Sequence, residues 1–341
     1  MTVHVLVVAG SAADDFYAEL SLLYARGSLD ALRDDRRYRF SVAYVTPDGR
    51  WRFPRDLSPE AIRSAPPVGL AGAVHCLAEM RPDVALPQMF CVPGMTRYRA
   101  LLELLGIPYA GNTPEVMALT ADKVATRAVV AAAGVAVPEG EVLRRGDRPA
   151  LRPPLVVKPA TADNSLGVTV VTRDADLGAA LDTAFGHDGT VLVERFIGLG
   201  REVRCGVLAY GGRLLTLPLE EYAIDPAAGI RGHDDKLLAS GGGGLAFAAK
   251  SGGRSWIIDP GDPVTAAVQR AALTAHVALG CRHYSLFDFR IDPAGRPWFL
   301  EAGLYCSFSP TSVLTTMAGA AGIPLHELFA TAMHEAGSYS A

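Results

Sequence analysis

Several charged side chains stand at the ends of apolar, strand-like runs, where a rigid backbone would hold them in place. Lys158 follows Val156 and Val157, and a loop of small residues that includes Ser165 and Gly167 comes next. An ammonium group beside such a loop suits phosphate oxygens, because the lysine supplies charge while the loop supplies backbone N–H groups and a hydroxyl. A solvated lysine at a strand end is the alternative for this segment taken alone.

A second run, Val191-Leu192-Val193-Glu194, also ends in a charge, and another carboxylate, Glu202, follows eight residues later. An apolar strand that leaves its sheet at such a point can present backbone groups to a purine edge. A nearby carboxylate can accept hydrogen bonds from ribose hydroxyls, as in other nucleotide sites. This segment therefore suggests a nucleotide site, with a polar strand end facing solvent as the alternative.

Two further carboxylates, Asp288 and Glu301, lie in strand-like runs on either side of the turn Asp292-Pro293-Ala294-Gly295. This arrangement predicts a β-hairpin, and strand alternation places Arg290 on the same face as Asp288. Carboxylates at corresponding positions of a hairpin can bind Mg²⁺, which prefers oxygen ligands and bridges phosphates. A cross-strand salt bridge between arginine and glutamate side chains is the alternative.

These side chains need a scaffold, and the pattern along the chain predicts one in which strands and helices alternate. Apolar runs at 3–8, 40–45 and 83–87, with a helix over 15–32, predict a parallel sheet that is covered on both faces. Thr113 and Pro114 have the residue types of a helix N-cap and a first helical position.

The rest of the chain favours strands over helices. A small β-rich module is predicted from strands at 155–159, 168–171 and 190–194, with helices at 123–133 and 176–185. Further strand-like runs lie at 201–208, 213–218, 284–291 and 298–301, and a final helix is predicted at 324–336. The glycine-rich stretch 240–244 is typical of a mobile loop.

Composition limits the classes to which the protein can belong. The 341 residues carry 32 Lys and Arg against 36 Asp and Glu, a net charge of −4, so the basic surplus of a nucleic-acid-binding protein is missing. No apolar run approaches the roughly 18 residues of a membrane span. Residues 1–4 lead into a strand-like run without the basic start of a signal peptide, so we expect a cytoplasmic protein. The five cysteines include no CxxC pair, which argues against a zinc site or a disulfide framework.

Taken in order, these segments resemble the ATP-grasp fold and, among its members, the D-alanine–D-alanine ligases. The stretches that carry the resemblance are Gly106-Ile107-Pro108-Tyr109-Ala110-Gly111, Asp122-Lys123, Val157-Lys158-Pro159, Ser165-Leu166-Gly167-Val168, Leu192-Val193-Glu194 and Leu300-Glu301-Ala302. Their order and spacing match over residues 3–336. The resemblance implies an α/β (α+β) fold of three domains, 1–113, 114–200 and 201–341, with ATP between the central and C-terminal domains.

The same resemblance implies an enzyme that joins a carboxylate to an amine. In this family ATP phosphorylates the carboxylate and the amine attacks the acyl phosphate, which gives an amide, ADP and phosphate. The matching residues are Lys123 and Lys158 at the ATP phosphates, Ser165 and Gly167 in the covering loop, Glu194 and Ile197 at the adenine, Glu202 at the ribose, Lys236 in a mobile loop that reaches the terminal phosphate, and Asp288 and Glu301 at Mg²⁺ or Mn²⁺. Ser165 and Lys236 are also expected to act in catalysis.

Three departures from the family pattern fall at metal and substrate positions. Gly303 stands where the family has a metal-binding asparagine, and Leu286 stands where it has an arginine. Arg290, on the face of Asp288, is our hypothesis for the group that takes over stabilisation of the tetrahedral oxyanion. The stretch Tyr305-Cys306-Ser307-Phe308 replaces the family's Ser-Pro-Gly-Met, which holds the carboxylate of the amine substrate. Tyr305 and Ser307 are therefore expected substrate residues.

Candidates for binding the first substrate lie in the N-terminal segment. Glu19-Leu20-Ser21 resembles the family's Glu-Val-Ser near the substrate ammonium group, and Asp14 and Asp15 compete for that role. Arg97 has the charge to hold a carboxylate, with a solvated arginine at a helix start as the alternative.

The departures cluster at substrate positions and largely spare the ATP positions. The sequence therefore predicts retained phosphoryl chemistry with altered amino-acid or dipeptide substrates. The alternatives are the D-alanine–D-alanine ligase of cell-wall synthesis, a cyclo-ligase with an intramolecular amine, and an ATP-binding protein without catalysis. A nicotinamide-dependent oxidoreductase is disfavoured, since the first strand is not followed by GxGxxG. We expect small amino-acid-like partners, no nucleic acid, no membrane and, from the resemblance, a homodimer.

Overall fold

The computed structural model describes residues 2–33, 35–163, 165–198, 200–225, 229–230, 237–239, 245–247 and 254–338. Within these ranges, three larger sheets each draw their strands from a separate stretch of chain, and two short strands form a further hairpin. None of the helices in the same ranges is both long enough and apolar enough to cross a membrane.

The first sheet confirms the predicted parallel α/β unit. Its strands are β1 (Val3–Gly10), β2 (Tyr38–Val45), β3 (Trp51–Arg52) and β4 (Val84–Pro87), in the order β3–β2–β1–β4. β1 pairs in parallel with β2 and β4, and β3 runs antiparallel at the edge. The helices of this part are α1 (Asp15–Leu32), α2 (Pro59–Ser64), α3 (Leu70–Met80), α4 (Val92–Met95) and α5 (Arg97–Leu104).

The second sheet confirms the predicted β-rich module. After α6 (Pro114–Ala121) and α7 (Lys123–Ala132), it contains β5 (Gly140–Arg144), β6 (Leu155–Pro159), β7 (Thr169–Val171) and β8 (Thr190–Arg195). All pairs are antiparallel in the order β5–β8–β6–β7, and α8 (Leu177–Phe185) packs on the sheet. Thr113 caps α6 as predicted, since its hydroxyl accepts from the Val116 N–H at 3.3 Å.

The third sheet is antiparallel and carries four of the charged residues that the sequence singled out, namely Glu202, Asp288, Arg290 and Glu301. Its strands are β9 (Arg201–Tyr210), β10 (Arg213–Thr216), β11 (Glu220–Tyr222), β14 (Ser255–Ile257), β15 (Tyr284–Ile291) and β16 (Pro297–Ala302). The order is β14–β11–β9–β15–β16, with β10 also on β9. The short strands β12 (Leu237–Ala239) and β13 (Leu245–Phe247) pair with each other, and α9 (Thr265–Ala278) packs beside the third sheet.

The predicted β15–β16 hairpin is confirmed, with Asp292 in its turn accepting from the Gly295 N–H at 2.9 Å. Asp288 and Glu301 are directly paired, and a register shift follows between Asp288 and Phe289. Such an irregularity redirects side chains along one strand of a pair.

One hydrophobic core joins the first and third sheets. The last helices, α10 (Val313–Ala320) and α11 (Leu325–Ser338), contribute Leu314 and Phe329 to a cluster that also contains Val7 of β1 and Leu208 of β9. The second sheet has a separate core around Val157 and Val193. The domain boundaries at 113/114 and 200/201 stay a prediction.

Candidate active site

Two adjoining cavities open between these sheets. The first, called here the inter-sheet pocket, lies between the second and third sheets and is lined from β6, β8, β9, β15 and β16. It brings together most residues that the sequence assigned to ATP and metal: Lys123, Lys158, Ser165, Glu194, Ile197, Glu202, Asp288 and Glu301.

The second cavity, called here the inner cavity, is lined by α1, by the start of α7 and by the third sheet. Its aromatic lining comprises Tyr17, Tyr24, Phe90, Tyr222 and Tyr305. Lys123 and Glu301 line both cavities. These two side chains therefore mark the place where the cavities meet.

A buried charge cluster forms the second-sheet wall of the inter-sheet pocket. Lys158 on β6 and Glu194 on β8 lie on adjacent strands, and their Nζ and Oε2 atoms are 2.6 Å apart. Arg127 of α7 approaches the other oxygen of Glu194 at 3.2 Å. Two cations thus surround one carboxylate, which leaves positive charge in a largely buried place and favours an anionic ligand.

Lys123 is positioned by the start of α7. The carboxylate of Asp122 caps the helix by accepting from the Val124 and Ala125 N–H groups at 2.8 and 3.1 Å. The ammonium group of Lys123 donates to the Ala162 carbonyl and lies 3.9 Å from Glu301. One lysine therefore connects α7, the loop after β6 and the edge strand β16.

The loop after β6 contains Ser165, which lines the inter-sheet pocket and has a left-handed backbone with φ of 60°. Gly167 also has a positive φ, 71°, and a Cβ there would lie 2.8 Å from Pro159 and 2.6 Å from His187. Close packing accounts for this glycine. Lys236 and the glycine-rich stretch around Gly241 lie outside the described residues.

Asp288 is held by an arginine that the sequence analysis missed. Arg204 of β9 lies opposite Asp288 in the sheet; its Nη2 donates to Oδ2 at 2.6 Å, and its Nε donates to Oδ1. Burial opposes the charge on Arg204, but the Asp288 carboxylate keeps its pKa well above the usual value. Strand alternation was the signal for this residue, because it places Arg204 on the same face as Glu202.

The carboxylates of Asp288 and Glu301 form a donor set that fits Mg²⁺. They pair across β15 and β16, and Mg²⁺ commonly takes one or two carboxylates together with phosphate oxygens and water. The described residues include no cluster of three or more His, Cys, Asp or Glu that could enclose a metal. The pair therefore suits a cation shared with a phosphate-bearing ligand.

Arg290 lies in the inter-sheet pocket rather than at the inner cavity. Its Nη2 is 3.0 Å from Glu202 Oε2, its Nη1 donates to the Gly229 carbonyl at 2.8 Å, and its guanidinium lies 5.4 Å from the Phe196 ring centroid. It shares a face with Asp288 as predicted, but its partner is the candidate ribose carboxylate. The salt bridge of Arg290 is therefore with Glu202 on β9 and not across the β15–β16 hairpin, where the alternative had placed it.

Tyr305 links the inner cavity to the loop after β6. Its hydroxyl donates to Asp163 at 2.5 Å, and burial, with the Asp163 carboxylate, raises the Tyr305 pKa well above its usual range. The hydroxyl therefore stays protonated as a donor. Ser307 also lines the cavity, where its oxygen accepts from the Ser309 N–H at 3.0 Å.

The structure does not bring the N-terminal substrate candidates into the inner cavity. Glu19 is exposed, because α1 turns Tyr17, Leu20 and Tyr24 toward the cavity at helical spacing. Asp14 is exposed too and caps α1 by accepting from the Tyr17 N–H at 2.9 Å. Arg97 is an exposed residue at the start of α5.

Known proteins that resemble this chain include D-alanine–D-alanine ligases. The family model described as the D-Ala D-Ala ligase C-terminus matches residues 132–239. A D-alanine–D-alanine ligase of Citrifermentans bemidjiense is 36% identical over 234 residues, which covers 67% of this chain and 70% of the relative. One from Azorhizobium caulinodans is 34% identical over 265 residues, with coverage of 74% and 80%.

Solved structures share the fold over nearly the whole chain. The D-alanine–D-alanine ligase of Coxiella burnetii has a TM-score of 0.79 at 23% identity and covers 99% of this chain and 95% of its own. The VanG D-Ala:D-Ser ligase of Enterococcus faecalis has the same TM-score and identity, with coverage of 98% and 100%. The ATP complex of the Bacillus anthracis ligase has a TM-score of 0.72 at 20% identity and covers 99% of each chain. The predicted ATP-grasp fold is confirmed, and the chain belongs to the D-alanine–D-alanine ligase family of ATP-dependent, ADP-forming enzymes.

Proposed function

We propose that this enzyme joins the carboxylate of one amino acid to the amine of a second amino acid or dipeptide and forms ADP and phosphate. The observation that carries the proposal is the meeting of two cavities at Lys123 and Glu301. One cavity has the residues for a nucleotide, and the other is a separate space with five aromatic side chains in its lining. A phosphoryl group held at the junction would face a substrate in the inner cavity.

ATP would lie in the inter-sheet pocket with its base toward β8 and its phosphates toward Lys123 and Lys158. Support comes from the surplus of positive charge around Glu194, where Lys158 and Arg127 approach a single carboxylate. Glu202 lines the same pocket, and its hydrogen bond from Arg290 would orient its carboxylate toward the ribose hydroxyls.

Mg²⁺, or Mn²⁺ in its place, would be held by Asp288 and Glu301. When bound, the cation supplies charge that neutralises the phosphate oxygens. The chain itself contributes Lys123 and Lys158 to orient the terminal phosphate, and Ser165 to donate a hydroxyl from the loop after β6. Catalysis in this scheme is positioning and charge neutralisation, so it needs no covalent enzyme nucleophile.

The inner cavity favours a specialised ligase. Tyr305 fills part of the space with its ring 5.5 Å from that of Phe90, and Phe90 lies 4.8 Å from Tyr24. In the family pattern the position of this segment is occupied by smaller or flexible residues, which suit small substrates. We therefore favour an amino-acid or dipeptide partner other than a second D-alanine, with the cell-wall D-alanine–D-alanine ligase as the second candidate.

A panel assay tests the proposal. The purified chain is incubated with ATP, Mg²⁺ and pairs drawn from D- and L-amino acids and short dipeptides, while ADP formation is followed and products are identified by mass spectrometry. We expect one class of pair to stimulate ADP formation and to give a product lighter by one water than the sum of its parts. D-alanine alone as the best substrate would support the second candidate, and a cyclised product would identify an intramolecular amine. ATP binding with no stimulation by any pair would contradict a ligase.

A further inference from the structure

Two positions that face the inner cavity lack the side chains that the family pattern places there. Leu286 and Gly303 both line this cavity, the first with an apolar side chain and the second with none. Arg290, the candidate for this role from its position on β15, is engaged with Glu202 in the other pocket. The positive charge at this end of the inner cavity comes instead from the neighbouring strand.

Arg204 stands one strand away from Leu286, on the same face of the sheet. Arg204 pairs with Asp288, and Gly206 pairs with Leu286, so positions 204 and 286 are diagonal neighbours. Diagonal neighbours lie about 7–8 Å apart, within reach of a long side chain. The guanidinium of Arg204 on β9 can therefore reach the same part of the inner cavity that an arginine at position 286 would reach.

The guanidinium of Arg204 is fixed in place, and not all of its N–H groups are used in hydrogen bonds to the described part of the protein. It makes two parallel hydrogen bonds to Asp288, and it lies 5.6 Å from the centroid of the Tyr222 ring. An arginine has five N–H donors, and within the described residues those two bonds are its only hydrogen bonds. Since Arg204 also lines the inner cavity, its remaining donors are available to a ligand beside Asp288.

We propose that Arg204 binds the reacting carboxyl group of the first substrate and then stabilises the oxyanion formed on it. This inference rests on the proposed function and deepens it. Fixed, charged N–H donors are suited to this role, because they stabilise negative charge that develops during the reaction without needing to reorganise. The carboxylate of Asp288, in turn, keeps the guanidinium oriented.

The reaction has two steps, formation of an acyl phosphate and its conversion to an amide. One oxygen of the substrate carboxylate attacks the γ-phosphorus of ATP, and the bond from that phosphorus to the β–γ bridging oxygen breaks, which releases ADP and leaves an acyl phosphate. The amine then adds to the acyl carbon, and the carbonyl electrons move to the oxygen that Arg204 contacts. Collapse of this intermediate breaks the bond from carbon to the phosphate oxygen, and the leaving phosphate takes up the proton lost by the amine. Arg204 keeps its own protons throughout.

Arg204→Lys and Arg204→Ala test the role directly. Lysine keeps the charge but cannot reproduce a bidentate, planar contact, so we expect kcat to fall by about 100-fold in both variants, as it does when an oxyanion donor is lost. The KM for ATP should change by less than about twofold, because Arg204 is not part of the inter-sheet pocket lining. Arg201→Lys is the matched control: Arg201 is on the same strand and is paired to Glu221 at 2.6 Å, but it lines neither cavity.

Moving the arginine separates its chemical role from a structural one. The double variant Leu286→Arg with Arg204→Ala returns a guanidinium to the diagonal position on the same face. We expect it to recover at least about tenfold of the kcat lost in Arg204→Ala, a gain that repair of packing alone would not give. Thermal unfolding of each variant identifies any that do not fold, and added guanidinium ion offers a second rescue of Arg204→Ala.

Binding of orthovanadate together with ADP and Mg²⁺ gives a readout that needs no acceptor amine. Vanadate adopts the geometry of a transferring phosphoryl group next to the substrate carboxylate, so with D-alanine present Arg204→Lys should weaken its binding by about tenfold while ADP alone binds normally. Wild-type turnover and vanadate affinity in folded Arg204→Lys would overturn the role of Arg204. Failure of the wild-type chain to form ADP with every amino-acid pair would instead contradict the proposed function, and the vanadate measurement would still decide on Arg204.

Discussion

Glu194 lies between two cations, and both of them stabilise its buried carboxylate. Lys158 and Arg127 both approach the carboxylate of Glu194, which is 4% exposed. Isolated ions are costly to bury, whereas a carboxylate with two cationic partners is stabilised by them. One of the two cations can therefore turn to an anionic ligand without leaving Glu194 unpaired.

Replacing Lys158 with alanine should lower turnover by at least about 100-fold, since it removes a charge from the phosphate side of the pocket. The fold should persist because Arg127 remains beside Glu194. Steady-state kinetics with saturating ATP, together with a melting curve, measure both effects. Arg144→Ala in β5 is the control, because Arg144 is exposed and, within the described residues, its guanidinium hydrogen bonds only to the nearby Thr190 side chain. A wild-type rate in folded Lys158→Ala would refute the assignment of this lysine.

Lys158 and Glu194 were singled out because each ends an apolar run, and Asp288 and Glu301 because they flank a predicted turn. The structure places all four in one pocket, but it places Arg290 away from the inner cavity. Arg290 shares a face with Asp288, yet two residues of strand carry it about 6.6 Å along the sheet, and there it meets Glu202 instead of the inner cavity. Arg204 was within reach of the same alternation argument. It was missed because its pairing with Asp288 depends on which strands are neighbours, and strand order is set by the whole fold.

At the scale of elements, the start of α7 fixes the position of Lys123. Asp122 caps its N-terminus, and Lys123 follows immediately with its backbone N–H bonded to the Ala160 carbonyl at 2.9 Å. The helix start is therefore tied to the end of β6. A change in the cap is transmitted directly to a lysine that lines both cavities.

Asp122→Ala should destabilise the fold by about 1 kcal/mol, the usual cost of losing an N-cap, and should also raise the KM for ATP. Asp122→Asn retains a capping oxygen and should preserve most of both properties. Urea unfolding and ATP titration of the two variants make the comparison. An alanine variant with lower stability but an unchanged KM would show that α7 does not need its cap to place Lys123.

A buried histidine makes the contact between α9 and β15 sensitive to acid. His276 Nδ1 lies 2.7 Å from the Ser285 hydroxyl, and burial lowers the pKa of His276 to about 4. The unfolded chain takes up this proton near the ordinary pKa of 6.5, whereas the folded chain does not. The contribution of His276 to the free energy of unfolding should therefore be fully present above pH 6.5 and be lost as the pH falls toward 4.

We expect the free energy of unfolding to decrease by on the order of 1–2 kcal/mol between pH 6.5 and 5 because of His276. His276→Gln keeps a polar group beside Ser285 and should reduce that decrease. Urea unfolding at both pH values measures it, with His75→Gln as the control, since His75 lies exposed on α3. An identical pH dependence in His276→Gln and the wild type would assign the acid sensitivity to other groups.

At the scale of the whole molecule, the three sheets are unequally connected. The first and third sheets share a hydrophobic core with α10 and α11, whereas the second sheet packs on its own core with α8. The inter-sheet pocket lies at the less firmly packed boundary. Among the described residues, the hydrogen bond from Tyr305 to Asp163 spans this boundary near the inner cavity.

Tyr305→Phe should uncouple ATP consumption from amide formation. A hydrogen bond to a charged group contributes about 1.5–3 kcal/mol, so its loss should favour opening of the loop by roughly tenfold or more and admit water to the acyl phosphate. The ratio of ADP formed to amide formed, from a coupled assay and mass spectrometry, should rise above the wild-type value. Tyr210→Phe provides the control, because the Tyr210 hydroxyl bonds to Glu327 away from both cavities. Equal ratios in the Tyr305 variant and the wild type would remove this role.

Helices and strands were predictable where the hydrophobic spacing and the residue types at their ends indicate the same element. The helix at Asp15–Leu32 and the cap at Thr113 follow from spacing and residue type. β5 was not predicted, because Gly140–Arg144 is short and becomes a strand by pairing with β8. α9 was not predicted either, since its alanine-rich sequence has little contrast between its faces. Glu19 shows the complementary limit: a motif matched the family pattern, but the helical turn directs that side chain to solvent.

Gly303 bears on how easily this site can be altered. A Cβ built there would meet none of the described atoms within 4 Å, and the backbone is not in the left-handed region. The glycine is therefore required neither by crowding nor by an unusual turn, unlike Gly167. A single substitution can introduce a side chain at this position without displacing a neighbour at Cβ. The side chain at position 303, and with it the lining of the inner cavity, can therefore be changed by one substitution.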